Sequence, residues 1–342
     1  MADIGDLQSL ASSITAVTSP FRNYLTELHG QFQAINDGDV ADYIPELALA
    51  KPEWFGICVV TSDGQVFEVG DCDRLFTIQS ISKAFVFGLA LEDHGRDYVN
   101  SKVSVEPTGE AFNAIVLDEV TNRPYNPMVN AGAIATTDLI QGSSSTERLK
   151  RMLDMFKRYT GRDHDINVPV FLSEKATGYR NRAMSYLMLN FGMVGDKIDE
   201  TLDLYFQQCS IMVNARDLAM MSATLANGGI NPVTKERAID ERYVQDVVSV
   251  MLTCGMYDAS GEWAYRVGMP AKSGVGGGIL AVVPNQLGIG TFSPPLDAKG
   301  NSVRGIKVCE ALAKDFGLHL FNAAKPEREL QAWIDGNDVD SW

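Results

Sequence analysis

Residues 79–83 read QSISK, and the run continues as SISKAFVFGLALEDHG over 80–95. Ile81, Phe85 and Leu89 recur at helical spacing, and Gly95 supplies a C-terminal stop, so the spacing predicts a helix opening at Ser80. Residues three apart on a helix share a face, which brings Ser80 and Lys83 together without any long-range coincidence. Ser80 falls in the first turn, where free N–H groups and the helix dipole favour developing negative charge. Serine is a weak nucleophile that needs a neighbouring base. A lysine among Phe76, Phe85 and Phe87 loses solvation, which lowers its pKa and frees a lone pair. The ordinary alternative is a serine cap and a solvated lysine.

Upstream, WFGICVVTSDGQVFEVG (54–70) holds two β-rich runs flanking Asp63-Gly64, a hairpin signal. Before it, TSPFRNYLTELHGQFQAINDGD (18–39) predicts a helix with Ser19 as N-cap, Pro20 in the first turn and Gly38 beyond the end. Residues 96–212 read mainly as helices and loops. VNARDLAMMSATLANGG (213–229) is expected to be a helix between Asn214 and Gly228, and DERYVQDVVSVMLTCG another between Asp240 and Gly255. Strand character returns in GGGILAVVPNQLGIGTFS (276–293), where Pro284-Asn285 separates two apolar runs. A helix at SVRGIKVCEALAKDFG (302–317) precedes a polar tail, expected to be mobile, after Pro326.

Strands thus lie at both ends of the chain with helices between. Consecutive hairpins favour an antiparallel sheet. The expected fold class is α/β (α+β), with an α/β domain from residues 1–95 and 213–342 and an inserted helical domain at 96–212. The active site is expected in the cleft between them.

The 342 residues have a formal charge of −15, which disfavours nucleic acid and anionic membrane surfaces as partners. The first nineteen residues lack the basic start and apolar run of a signal peptide, and no apolar run is long enough to span a membrane. Cys58, Cys72, Cys209, Cys254 and Cys309 are scattered, form no C-x-x-C pair and do not cluster with the four histidines. Reduced thiols in a cytoplasmic protein are expected, with no metal and no cofactor.

A second motif, AKSGVGGGI (271–279), lies far downstream. The order S-x-x-K then K-[ST]-G is that of penicillin-binding proteins and class A β-lactamases. Glycines at 274 and 276–278 let a backbone N–H approach a reacting carbonyl closely. The GVGGG run lacks the Walker pattern and precedes a strand, which argues against a nucleotide site.

Eight stretches in register, DYIPELA (42–48), QSISK, NPMVNAGAI (126–134), SEKATGYRNRAMSY (173–186), YFQQCSI (205–211), LANGG, CGMYDASG (254–261) and AKSGVGGGI, resemble the serine-dependent glutaminases, from about residue 20 to 320. That family includes bacterial enzymes and the catalytic domain of animal kidney- and liver-type glutaminases. The resemblance implies a β-lactamase-like fold and hydrolysis of L-glutamine to L-glutamate and ammonia. It also implies Ser80 as nucleophile, Lys83 as its activating partner and Tyr205 as an aid to proton transfer. The N–H groups of Ser80 and Val275 would form the oxyanion hole. Tyr43, Asn130, Glu174, Asn181 and Tyr257 would hold the substrate. The regulatory extensions of the animal enzymes have no counterpart. A homo-oligomer, dimer or tetramer, is a family-level expectation.

The residue types suit the substrate independently. Glu174 can take the α-ammonium, and the amides of Asn130 and Asn181 can donate to the α-carboxylate. Lys83 and Tyr205 can relay protons, and either can take the first one. Without the resemblance, Asn130 reads as a helix cap, Glu174 as a first-turn acid, Asn181 as part of a solvated face, and the tyrosines as packing residues. Two further readings stand beside glutaminase: another β-lactamase-like serine hydrolase acting on a cell-wall peptide, lactam or ester, and a non-catalytic ligand sensor or assembly protein.

Overall fold

The computed structural model describes residues 19–111, 113–323 and 326–336. β1 (Gly56–Thr61) and β2 (Val66–Gly70) form a hairpin about Asp63-Gly64, with Val60 opposite Val66. β5 (Ala271–Gly274), β6 (Gly278–Val283) and β7 (Leu287–Phe292) come from the other end of the chain. Together they make one sheet in the order β2-β1-β7-β6-β5, antiparallel at every pairing. The AKSG segment, read from sequence as lying just ahead of a strand, is itself the strand at this edge. β3 (Phe76–Thr77) and β4 (Met212–Val213) pair separately and clip residue 78 onto the region of residue 211.

Both faces of the sheet are covered, which is why its strands read as continuous apolar runs. Ile57, Val59, Ile279 and Ala281 pack with Phe21 and Leu25 of α1 (Pro20–Gln33). Cys58, Val60, Leu280 and Val282 point the other way, into a cluster with Leu218 and Met221. Those belong to α8 (Ala215–Ala226), which opens with a capping box between Asn214 and Asp217. This helix lies directly on β7. A Cβ on Gly290 would meet the Ala215 carbonyl oxygen at 2.2 Å, and one on Gly288 the Ala223 nitrogen at 2.1 Å. The alternate glycines of LGIGTF therefore set the helix-to-sheet distance.

Between the two ends run α2 (Ser82–Lys102), α3 (Asn130–Asp138), α4 (Ser145–Thr160), α5 (Val168–Thr177), α6 (Tyr179–Asn190) and α7 (Ile198–Cys209). α9 (Glu241–Cys254) is capped by Asp240, and α10 (Ser260–Arg266) and α11 (Val303–Asp315) come after it.

One expectation is borne out and another corrected. Gly95, at φ 77° and ψ 164°, breaks the helix as a stop should, and a second helical piece follows it to Lys102 within α2. Fully buried Val99 in that piece packs into the core and holds the resumed turn. The stretch after Pro326 is not simply a polar tail. α12 (Leu330–Asp335) buries Ile334 and sets Trp333 edge-on to Tyr24 and Phe316, with the Arg328 guanidinium over the Tyr24 and Trp333 rings. Leu330, Trp333 and Ile334 sit at helical spacing inside a sequence whose overall polarity hides them. The reading of the N-terminus lies outside the described residues, except for Ser19. Among the described residues, no helix is long and apolar enough to cross a membrane.

Candidate active site

Ser80 lies in a single 3-10 turn, Gln79–Ile81, that leads into α2. Gln79 has φ 50°, a left-handed conformation that costs a non-glycine residue roughly 1–3 kcal/mol and persists only where the surroundings enforce it. A buried polar chain does so here. The Ser82 hydroxyl donates to the Gln79 carbonyl at 2.7 Å, Gln208 donates to Ser82 at 3.1 Å, and Thr137 donates to Gln208 at 2.9 Å. Ser80 is thereby fixed at the end of the buried helix and is itself 7% exposed.

Lys83, one turn on, is fully buried and donates to the Met128 carbonyl at 3.2 Å and to Asn130 Oδ1 at 2.7 Å. Burial pulls its pKa down to about 8, while Cys209 and the Glu174 carboxylate oppose the shift. At pH 7 roughly one lysine in ten is then uncharged, against a few in ten thousand for an ordinary one. Asn130 does not cap its helix. Its side chain accepts from Lys83 and donates to Asn181 Oδ1 at 3.1 Å, joining α2, α3 and α6.

The Tyr257 side chain stands beside the Ser80 side chain and the Val275 N–H. Burial raises the Tyr257 pKa, and these two neighbours work against that rise. Tyr257 also has positive φ, 54°, in a 3-10 turn after α9. Val275 belongs to the turn joining β5 and β6, where Gly277 N–H closes onto the Gly274 carbonyl at 2.9 Å. Tyr257 lines a cavity of about 340 Å³ with Met128, Val129 and Cys254. Val275 lines another, of about 170 Å³, with Thr77 and Val170. Tyr257 and Val275 are neighbours, so the two cavities approach each other beside Ser80.

On the third side, Tyr43 donates to Glu174 Oε1 at 2.8 Å, and Gln79 also hydrogen-bonds that carboxylate. Burial raises the Glu174 pKa, and the bonds from Tyr43 and Gln79, with the Lys83 charge, restrain the rise. Tyr205 is buried and lies beside Cys209, one turn further along α7. Its pKa is pushed well up by burial first, then by Cys209 and Glu174. Burial drives the Cys209 thiol up to about 12.

The nine positions expected from sequence thus form linked groups: Ser80 with Tyr257 and Val275, Lys83 with Asn130 and Asn181, Tyr43 with Glu174, and Tyr205 beside them. The tyrosine beside Ser80 is Tyr257, whereas Tyr205 lies beside Cys209. Sequence reading also passed over Gln79 and Cys209. Cys209 was accessible, because it lies four residues after Tyr205 on one helix face. Gln79 carried no signal, since a left-handed glutamine is not encoded locally. Among the described residues no acidic, His or Cys group of three is placed to hold a metal ion.

A helix-borne serine and lysine facing a strand-edge N–H, on an antiparallel sheet covered by helices, define a hydrolase of the β-lactamase-like fold. The sequence profile of the Glutaminase family matches residues 38–321. The chain belongs to that family. It is 75% identical over 337 residues to a glutaminase of Microcystis aeruginosa, covering 98% of this chain and all of that one. The structure of a probable glutaminase, ybaS, superposes with a TM-score of 0.85 at 41% identity, covering 89% of this chain and 99% of that chain. The structure of Mglu in its L-glutamate binding form gives the same TM-score at 43% identity, covering 90% and 69%.

Proposed function

We propose that this glutaminase hydrolyses L-glutamine to L-glutamate and ammonia through a γ-glutamyl ester on Ser80. The Ser80 oxygen attacks the side-chain amide carbon while its proton passes to the Tyr257–Lys83 side of the site. The carbonyl oxygen of the substrate takes over the Val275 N–H from Tyr257 and, with the Ser80 N–H, carries the developing negative charge. The C–N bond breaks as the leaving nitrogen takes a proton, and ammonia departs. Water then adds to the ester carbon, the proton returns to Ser80, and glutamate leaves.

The observation that carries this reading is the contact of Ser80 and the Val275 N–H with a single buried phenol oxygen, one helical turn from a buried lysine. Glu174, with Tyr43 and Gln79, suits the α-ammonium, and Asn130 with Asn181 suits the α-carboxylate. Tyr205 walls the pocket beside Glu174 and Cys209. Residues 96–212 act as a helical part against the α/β part from 1–95 and 213–342, and the substrate enters between them.

The enzyme is assigned to the cytoplasm, supported by five buried, unpaired cysteines. A homo-oligomer, dimer or tetramer, is supported by the exposed apolar side chains of Val168, Leu172, Tyr179 and Tyr186 on α5 and α6. Light scattering on the full chain tests the assembly. Ammonia release from L-glutamine, L-asparagine and a chromogenic lactam tests the substrate. Turnover of glutamine that vanishes in Ser80→Ala supports the mechanism, and undiminished turnover in that variant contradicts it.

A further inference from the structure

Lys272, the lysine of AKSG, has no part in the reaction steps of the hydrolysis, yet it is fully buried beside the reacting groups. A buried ammonium or amine is costly unless every donor finds a partner. Lys272 donates to the Gly255 carbonyl at 2.9 Å and to the Ser273 carbonyl at 2.8 Å, and its Nζ stands 4.4 Å from the centre of the Tyr257 ring. The two carbonyls matter because of their neighbours along the chain. Gly255 is two residues before Tyr257, and Ser273 is two residues before Val275. The Gly255 carbonyl also accepts the Ser273 N–H at 3.2 Å. One side chain therefore ties the turn carrying the phenol to the strand carrying the oxyanion N–H, and supports the phenol ring from beneath.

Tyr257 needs such support, because its backbone stands at φ 54°. Ser260 supplies part of it, its hydroxyl donating to the Tyr257 carbonyl at 2.8 Å and accepting from the Met256 N–H at 3.0 Å. Those bonds fix the backbone of the turn and do not reach the ring. The ring face is met by Lys272. The ionisable neighbours of Lys272 besides Tyr257 are Lys83 and Cys254.

We propose that Lys272 is a positioning residue for the hydrolysis: it holds the Tyr257 hydroxyl between Ser80 and the Val275 N–H by clamping the Tyr257 turn to the oxyanion strand. Lys272 has this role only if Tyr257 handles the Ser80 proton, the reading on which the proposal rests. It touches no reacting atom, so its effect passes through Tyr257.

Lys272→Met fills the same space without donors and tests this in the full chain, alone and combined with Tyr257→Phe. The expected result is a kcat at least about 30-fold lower with KM within about 3-fold, and a further loss below about 3-fold when the same change is made in Tyr257→Phe. An equal loss in both backgrounds, or a kcat within about 3-fold of the parent, overturns the role of Lys272. A Tyr257→Phe single variant with full kcat overturns the underlying reading of Tyr257 instead, so the two failures are distinguishable. A further measurement leaves Lys272 in place, for the case that Lys272→Met does not fold. In protein labelled with ε-13C lysine, Tyr257→Leu is expected to move the Lys272 titration, because a coupling between two groups acts both ways. An unmoved titration overturns the clamp.

Discussion

The phenol of Tyr257 stands beside the Ser80 side chain, and Ser80 and the Val275 N–H together oppose the rise in its pKa that burial causes. In the proposed mechanism the substrate carbonyl takes the Val275 N–H. Its entry then moves the phenol aside while keeping it within reach of the serine, which links binding to activation of the nucleophile.

Removing this hydroxyl leaves Ser80 without its partner. Tyr257→Phe is expected to lower kcat by about 100-fold or more, the range of a lost general acid–base group, with a smaller effect on KM. Steady-state ammonia release checks this.

Tyr205 provides the contrast. It lies beside Cys209, one helical turn away, so Tyr205→Phe is expected to cost at least about tenfold less in kcat than Tyr257→Phe. Equal losses in the two variants would move the proton transfer back to Tyr205.

The lysine makes a pH prediction. Its pKa, pulled to about 8 by burial, makes the uncharged base more abundant as pH rises, so kcat/KM should climb through a limb near pH 8. An unperturbed lysine would place that limb above about pH 10. Stability has the same sign. The folded value lies below the unfolded 10.5, so between the two the unfolded chain binds more protons here. Lys83 thus contributes stability that grows from about pH 8 upward and is absent below it. A pH series of kcat/KM and of denaturant midpoints measures both.

Glu174 accepts a hydrogen bond from Tyr43 and, in the proposed mechanism, meets the α-ammonium of the substrate. Glu174→Gln keeps the shape and removes the charge. KM for glutamine is expected to rise about tenfold or more, the worth of one charge-assisted bond, with kcat affected less. Proportional losses in kcat alone would remove Glu174 from ground-state binding.

Gly290 sets the approach of α8 to the sheet. A methyl there meets the Ala215 carbonyl at 2.2 Å, so Gly290→Ala should destabilise by about 1–3 kcal/mol, an overpacking cost, and lower Tm. Thermal melts of the variant and its parent decide it.

What the sequence disclosed was mostly local. Ser80 and Lys83 share one helical turn, Asp63-Gly64 marks its own hairpin, and Asn214 caps a helix whose apolar period is plain. Each of these is decided within a few residues. The two-ended sheet was legible because its strands are apolar on both faces and its hairpins are short. Which tyrosine stands beside Ser80 was not legible. Tyr205 and Tyr257 look alike in sequence, and only the long-range approach of the Gln79–Ile81 turn to the turn after α9 separates them. Gly95 marked its stop locally, and the second helical piece beyond it, held by buried Val99, carried no such signal. Lys272 was visible as part of a motif, but its partners are carbonyls, which any residue can present, so its clamp left no pattern to read.

The central claim is a covalent one, and trapping the enzyme during turnover tests it most directly. Acid-quenched enzyme mixed with L-glutamine, digested and examined by mass spectrometry, should carry a γ-glutamyl group on the peptide containing Ser80, and none in Ser80→Ala. Turnover of glutamine with no adduct on that peptide, and a Ser80→Ala variant that releases ammonia at the parental rate, would contradict it.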